Sequence, residues 1–117
     1  MKLLEGGNEL ALTVECTLHA LRIPGSLQGM RFLMYAIERT VKDPTYTQFI
    51  TKRLYIDIAL FCHSTPSRVE RSMRTAVEVS WNNARKELNQ MAGYHLVKRP
   101  TNREFIDLVA FYIRHRC

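Results

Sequence analysis

The sequence has no run of about 18 consecutive apolar residues, the length that a membrane-spanning helix needs. Met1–Gly7 is too short and too quickly acidic to form a signal peptide. Only three cysteines occur, Cys16, Cys62 and Cys117, an odd number without the spacing of a disulfide framework. Such cysteine usage is typical of a reducing compartment. These absences predict a cytoplasmic protein without a membrane-spanning segment.

Motifs of catalysis and metal binding are also missing. The sequence contains no pair of CxxC elements, no nucleophile elbow around a serine and no glycine-rich phosphate loop. Cys16 and His19 lie close together on a predicted helix, but four zinc ligands would have to come from unrelated helices. We therefore interpret Cys16 and Cys62 as small core residues. We expect no enzymatic activity, no metal site and no cofactor.

Length and composition suit one globular domain with a basic surface. The chain has 117 residues, of which 46% are apolar and 24% charged, which is enough for one core. The net charge of +6 favours a partner rich in phosphate, either a nucleic acid or an anionic membrane. A solvated basic surface without such a partner is the alternative.

Apolar residues recur at helical spacing, which predicts a single compact all-α domain of about six helices at 8–117. A flexible arm is expected before it, at 1–7. The side chains expected to cap the first, second and last helices are those of Asn8, Ser26 and Thr101. Gly29, inside the second helix, indicates a close contact with another helix. Tyr94–Val97 is predicted to be extended.

Ser64–Trp81 is the most informative stretch of the sequence. Thr65 can cap exposed backbone N–H groups, and Pro66 suits the first helical position, where its missing donor costs nothing. At about 100° per residue, one side of the predicted helix is apolar and the opposite side is polar. The apolar side consists of Val69, Met73, Ala76, Val77 and Ser80, and the polar side of Ser67, Arg71, Arg74 and Glu78.

A shorter amphipathic helix is predicted just upstream, at Lys52–Cys62. Two helices joined by a turn of about four residues, the second one arginine-bearing, are typical of a helix-turn-helix. In such a motif the second helix, here Pro66–Asn82, is the recognition helix and enters the major groove of DNA. The pattern therefore predicts a DNA-binding domain.

The polar face of the recognition helix offers groups that can read base pairs. A guanidinium can donate two parallel hydrogen bonds to guanine, and a carboxylate can accept one from cytosine. We therefore predict that Glu70, Arg71 and Arg74 contact bases. The alternative is an exposed helix with local ion pairs, formed by Glu70 with Arg74 or by Arg74 with Glu78.

Other residues of this helix are predicted to contact phosphates or the core. Ser67 and Arg68 lie in the first turn, where free N–H groups and the helix dipole favour an anion. Thr75 can add a hydroxyl hydrogen bond to a phosphate. Trp81, at the end of the helix, is interpreted as a core anchor rather than a platform for stacking bases.

These residues closely resemble the stage zero sporulation protein A family of response regulators, in the right order and over nearly the whole chain from Asn8 onward. The resemblance in the recognition helix rests on Ser67–Arg71, Ala76–Val79 and Trp81. Upstream it rests on Ile50–Lys52, Leu54, Tyr55 and Asp57–Ala59, and downstream on Gly93, Tyr94, Pro100–Asn102 and Glu104–Ile106.

The resemblance implies a six-helix DNA-binding effector domain of an endospore-forming bacterium, active in the cytoplasm at the nucleoid. Such domains bind sites related to TGTCGAA, dimerise head to tail on tandem sites and contact the sigma subunit of RNA polymerase. By position, Glu70, Arg71 and Arg74 match the family's base-reading residues, and Ser67 and Arg68 lie in its backbone-contacting turn. The competing interpretation is a helical protein-interaction module, which pairs with a full-length regulator or a polymerase subunit without selecting promoters itself.

The sequence departs from the family pattern at three points. Ile56 stands where the family tends to have proline, and Asn82–Ala92, the region that meets polymerase in the family, is slightly shorter. The receiver domain that precedes the effector in the family has no counterpart in these residues. Two possibilities follow: an effector domain from a longer regulator, or a homologue that stands alone.

Overall fold

Helices account for all the regular structure between Glu9 and Arg116, the residues that the computed structural model describes. The α-helices of this range are α1 (Leu10–Ala20), α2 (Gln28–Lys42), α3 (Tyr55–Phe61), α4 (Pro66–Asn83), α5 (Arg85–Ala92) and α6 (Asn102–His115). The all-α prediction is therefore confirmed. None of these helices is both long enough and apolar enough to cross a bilayer. The predicted arm at 1–7 and the predicted cap Asn8 lie outside the described residues.

α2 lies at the centre of the packing. It packs against α1, α4 and α6, while α3 packs mainly against α4. The buried residues of α2 are Gly29, Met30, Phe32, Leu33, Ala36, Ile37 and Thr40. Because a helix with contacts on several sides cannot shift without disturbing all of them, α2 gives α4 a rigid support.

Gly29 allows α2 and α4 to approach closely. A Cβ atom at this position would collide with the carbonyl oxygen of Ser72 and would lie 3.0 Å from the Cβ atom of Ala76, both on α4. The predicted close helix contact is therefore confirmed. Glycine is required here for space, although it costs up to about 1 kcal/mol relative to alanine inside a helix.

α6 is held at both ends by polar contacts. At its start, the Glu104 N–H donates to Thr101 Oγ1 at 3.1 Å, and the Thr101 N–H donates to Glu104 Oε1 at 2.9 Å. This reciprocal pair confirms the predicted cap at Thr101. At its end, the Arg114 guanidinium donates to the Thr40 carbonyl at 2.9 Å and so satisfies an acceptor near the C-terminus of α2.

The predicted cap of α2 is wrong. The Leu27 N–H donates to the Pro24 carbonyl at 3.2 Å, and this turn places Ser26 before the helix. α2 begins at Gln28, and its N-cap position makes no side-chain hydrogen bond. The turn at Pro24 has therefore set the start of the helix in place of the serine hydroxyl.

The cysteine predictions are only partly right. Cys16 is exposed, because Val14, Thr17 and Leu18 take the inner face of α1 and residue 16 points away from it. Cys62 is partly buried and packs against the core, as predicted. Cys117 lies outside the described residues.

Some element boundaries also differ from the prediction. The helix predicted at Lys52–Cys62 becomes an α-helix only at Tyr55, since a 3-10 turn at Tyr46–Phe49 and a π-helical turn at Ile50–Leu54 precede it. α4 continues to Asn83. The predicted extended segment Tyr94–Val97 forms no strand: the Leu96 N–H donates instead to the Asn89 side chain, Oδ1, at 2.8 Å.

Candidate nucleic-acid interface

The turn from α3 into α4 is formed by Cys62–Thr65. The Ser64 N–H donates to the Ala59 carbonyl at 2.8 Å and closes the end of α3, and His63 adopts a left-handed backbone with φ 54°. Thr65 has an extended backbone, and its Oγ1 accepts from the Arg68 N–H at 3.2 Å. With Pro66 as the first helical residue, both predicted start signals of α4 are confirmed.

α4 has one buried and one exposed face. The five residues predicted to be apolar and inward are each at most 1% exposed: Val69, Met73, Ala76, Val77 and Ser80. The four predicted to be polar and outward are all exposed: Ser67, Arg71, Arg74 and Glu78. The buried face docks on α2 and α3, so the arginine-bearing face is directed away from the rest of the domain.

Glu70 and Arg74 form an ion pair on this exposed face. Arg74 Nη2 lies 3.3 Å from Glu70 Oε1, and the two side chains are 52% and 39% exposed. Between residues 9 and 116, Glu78 pairs with Arg99 rather than Arg74, at 3.7 Å. A solvent-exposed pair of this kind contributes only tenths of a kcal/mol, about 0.3–0.5. Each of the two side chains can therefore leave this ion pair and bind another partner at a small cost in free energy.

The residues predicted to contact phosphate also lie on the exposed face of α4. Ser67, Arg68 and Thr75 are all exposed. Arg68 and Thr75 are seven residues apart, nearly two full turns, so they share one edge of the exposed face. The opposite edge is formed by Glu70, whose main-chain carbonyl accepts from Asn102 of α6 and whose carboxylate pairs with Arg74. The predicted base readers therefore lie next to the predicted phosphate contacts on α4.

Two polar residues that lie close to the ion pair, Asn102 and Tyr55, were not predicted to be part of the site. Asn102 Nδ2 donates to the Tyr55 hydroxyl at 3.0 Å and to the Glu70 carbonyl at 3.1 Å, and Asn102 is only 8% exposed. Burial raises the pKa of Tyr55, while the hydrogen bond from Asn102 opposes that rise. The sequence gives no signal of this contact, since its partners lie 47 and 32 residues from Asn102.

The C-terminal half of α4 is flanked by two arginines from later segments. Arg99 pairs with Glu78 across solvent, and this places the segment before α6 beside the exposed face. Arg85 lies over the Trp81 ring, with its guanidinium carbon 4.1 Å from the ring centre. Trp81 is partly buried and packs against the core, as predicted.

A separate groove lies away from α4. It has a volume of about 720 Å³ and is lined by the loop after α5 and by α6, without any residue of α4. Its Asp107 carboxylate is already engaged, since it accepts from Thr47 Oγ1 at 2.6 Å and pairs with Arg103. No group of three or more metal-ligating side chains occurs among residues 9–116. The arginine-bearing face of α4 is thus the better candidate for a site.

A comparison with protein families agrees with this geometry. A family model described as "Sporulation initiation factor Spo0A C terminal" matches residues 14–113, which is most of the chain and includes all six helices in whole or in part. This family consists of DNA-binding domains rather than enzymes. The chain therefore belongs to the family of C-terminal, DNA-binding effector domains of the sporulation regulator Spo0A.

Proposed function

We propose that this domain regulates transcription by binding specific promoter sequences related to TGTCGAA, with α4 in the major groove. The observation that carries the proposal is the division of α4 into a fully buried apolar face and an exposed face that bears Arg71 and Arg74. An α-helix exposed along one side and supported on the other is the element that fits a major groove.

Arg71 and Arg74 are the proposed guanine readers, and Glu70 is the proposed cytosine reader. Arg71 is exposed, so its guanidinium can reach a base edge directly. Arg74 must exchange the Glu70 carboxylate for a base, which is favourable because their exposed ion pair is weak. Glu70 is then released to accept from a cytosine amino group on the neighbouring base pair.

Ser67, Arg68 and Thr75 are the proposed phosphate contacts. Phosphate contacts set the register of the protein on the duplex, and base contacts select the sequence. The exposed first turn of α4 supports this assignment for Ser67 and Arg68, because the positive end of the helix dipole attracts anions there. Thr75 extends the same edge toward the C-terminus.

Two further partners are proposed on the basis of the resemblance to the family. A second copy of the domain would bind head to tail on a tandem site, and the sigma subunit of RNA polymerase would contact the α5 region. α5 offers an exposed basic surface at Arg85 and Lys86 for such a contact. The proposed place of action is the bacterial cytoplasm, at the nucleoid.

The test replaces each proposed reader and compares two duplexes. We expect Arg71→Ala and Arg74→Ala each to weaken binding to a TGTCGAA duplex by about 1–3 kcal/mol, with much less loss on a scrambled duplex of the same length. Binding would be measured by gel shift or fluorescence anisotropy at moderate salt, because electrostatic binding at low salt hides sequence preference.

Lys86→Gln is the matched control, because Lys86 is an exposed cation on α5 beyond the end of α4. It should change binding to the two duplexes equally and slightly. Equal losses on both duplexes for Arg71→Ala and Arg74→Ala would mean that these arginines touch only phosphate. If the unaltered domain itself shows no preference for TGTCGAA, the interpretation as a protein-interaction module replaces the proposal.

A further inference from the structure

We propose that Asn102 is a positioning residue that holds the base-reading turn of α4 in place and thereby sets sequence discrimination. The inference rests on the proposed function of Glu70, Arg71 and Arg74. Asn102 is only 8% exposed and contacts the main chain of α4 at Glu70, and it is not among the proposed base or phosphate contacts. Its proposed role is to fix the position of the main chain from which the neighbouring side chains project.

The main observation behind this proposal is that the buried side-chain amide of Asn102 connects three helices, α3, α4 and α6. Asn102 is the first residue of α6, and its Nδ2 donates both to the Tyr55 hydroxyl, at the start of α3, and to the Glu70 carbonyl, within α4. The Glu70 carbonyl belongs to the same residue whose carboxylate pairs with Arg74. Asn102 therefore makes a partly buried hydrogen bond to the main chain of the turn that carries the proposed base readers.

Asparagine suits this position chemically. Its NH₂ group has two protons and can serve two acceptors at once, here a phenol oxygen and a carbonyl oxygen. An aspartate has no proton to give when ionised, and a serine has a single shorter donor. Because the residue is buried, water does not readily replace a lost partner, and the Glu70 carbonyl would lose this contact outright.

α6 provides the rigid reference for this contact. The reciprocal hydrogen bonds of Thr101 and Glu104 fix the first turn of the helix, and Phe105 and Ile106 in the next positions are fully buried. One residue before the cap, Pro100 is also buried. The Asn102 side chain therefore projects from a part of the fold that cannot readily move with α4.

This arrangement predicts a loss of discrimination rather than of general affinity. Bidentate contacts to a base edge require placement within about 0.5 Å, whereas attraction to a phosphate tolerates larger shifts. If the turn around Glu70 loosens, the contacts of Glu70 and Arg74 with bases weaken first. Binding to a scrambled duplex depends on charge and should change little.

The experiment measures the ratio of Kd values on scrambled and TGTCGAA duplexes for Asn102→Asp and Asn102→Ser. Aspartate keeps the size of the side chain and suits the first turn of a helix, so α6 should still form. Serine adds no charge and so separates the loss of the hydrogen bond from repulsion of DNA. We expect the ratio to fall about tenfold in both variants, equivalent to about 1.4 kcal/mol.

Thr47→Val is the matched control for a merely structural role. Thr47 is buried, and its hydroxyl donates to Asp107 of α6 at 2.6 Å, so the variant also removes a hydrogen bond that ties α6 to the fold. Thermal unfolding of each variant would be recorded, and binding would be measured at a temperature where all are folded. We expect Thr47→Val to lower the melting temperature and to leave the ratio unchanged.

The possible outcomes separate the two proposals. If the unaltered domain discriminates and the Asn102 variants lose no more discrimination than Thr47→Val, the positioning role is wrong and the proposed function stands. If the unaltered domain does not discriminate at all, both are wrong. A fall in the ratio for Asn102→Ser as well as Asn102→Asp, without a fall for Thr47→Val, supports the positioning role.

Discussion

Tyr46 couples the stability of this domain to alkaline pH. The side chain is 2% exposed, and its hydroxyl donates to Asp57 Oδ2 at 3.0 Å. Burial raises the pKa of the Tyr46 phenol well above its usual value of 10.0, and the hydrogen bond to Asp57 raises it further. The folded domain therefore favours the neutral phenol, whereas the phenol of the unfolded chain ionises near pH 10. Its contribution is complete below pH 10 and is lost as pH rises from there toward the folded pKa.

Tyr46→Phe should therefore have an effect that depends on pH. Near pH 7 we expect the variant to unfold more easily by about 0.5–1.5 kcal/mol, the usual net contribution of one hydrogen bond. Above about pH 10 the difference should narrow, because only the unaltered domain still loses stability through this phenol. Urea unfolding from pH 7 to pH 11 would measure both free energies.

Tyr94→Phe is the control for this measurement, since Tyr94 is 66% exposed. Its unfolding curve should follow that of the unaltered domain at each pH. Tyr55, whose pKa is also raised by burial, is present in all three proteins and so does not affect the differences. A constant gap between Tyr46→Phe and the unaltered domain across the whole range would contradict the proposed coupling.

At the scale of helices, the crossing of α2 and α4 depends on the absence of one side chain. Gly29→Ala would place a methyl group against the Ser72 carbonyl oxygen, which is backbone and cannot rotate away. We expect a net destabilisation of about 1–3 kcal/mol, even though alanine favours helix formation by up to about 1 kcal/mol. Thermal or urea unfolding would measure the change.

Gly25→Ala is the paired comparison for that variant. A Cβ atom at Gly25 would meet its nearest neighbour, His19 Cε1, at 3.6 Å, an ordinary contact. The Gly25→Ala variant should therefore leave stability unchanged or raise it by about 0.4–1 kcal/mol, because alanine lowers the conformational entropy of the unfolded chain. If Gly29→Ala behaves like Gly25→Ala, then α2 and α4 can move apart without loss of stability, and the close contact is not required.

Helix types and faces could be predicted from the sequence because they depend on local order. The repeat of Val69, Met73 and Val77 determines which side of α4 is buried, and Thr65–Pro66 determines where it begins. The start of α2 was mispredicted because the turn at Pro24 competes with Ser26 as the start signal. Contacts such as those of Asn102 could not be predicted, since they depend on how distant elements meet in space.

At the scale of the whole molecule, the cations on and beside the exposed face of α4 outnumber its two glutamates, Glu70 and Glu78. Arg68, Arg71 and Arg74 lie on that helix, and Arg99 lies beside it. With a net charge of +6, the domain should bind any duplex partly through release of counterions. The salt dependence of binding then reports how many cations reach phosphates, while base contacts affect it little.

Arg68→Gln tests this distribution of charge. If Arg68 contacts one phosphate, its loss should weaken binding to all duplexes about equally and reduce the slope of log K against log salt by about 0.9. Lys86→Gln should leave the slope nearly unchanged, because Lys86 lies on α5 and is not among the proposed phosphate contacts. Titrations from 50 to about 200 mM salt would give both slopes. Equal slopes for Arg68→Gln and the unaltered domain would remove Arg68 from the phosphate contacts and shift that role to other cations beside α4.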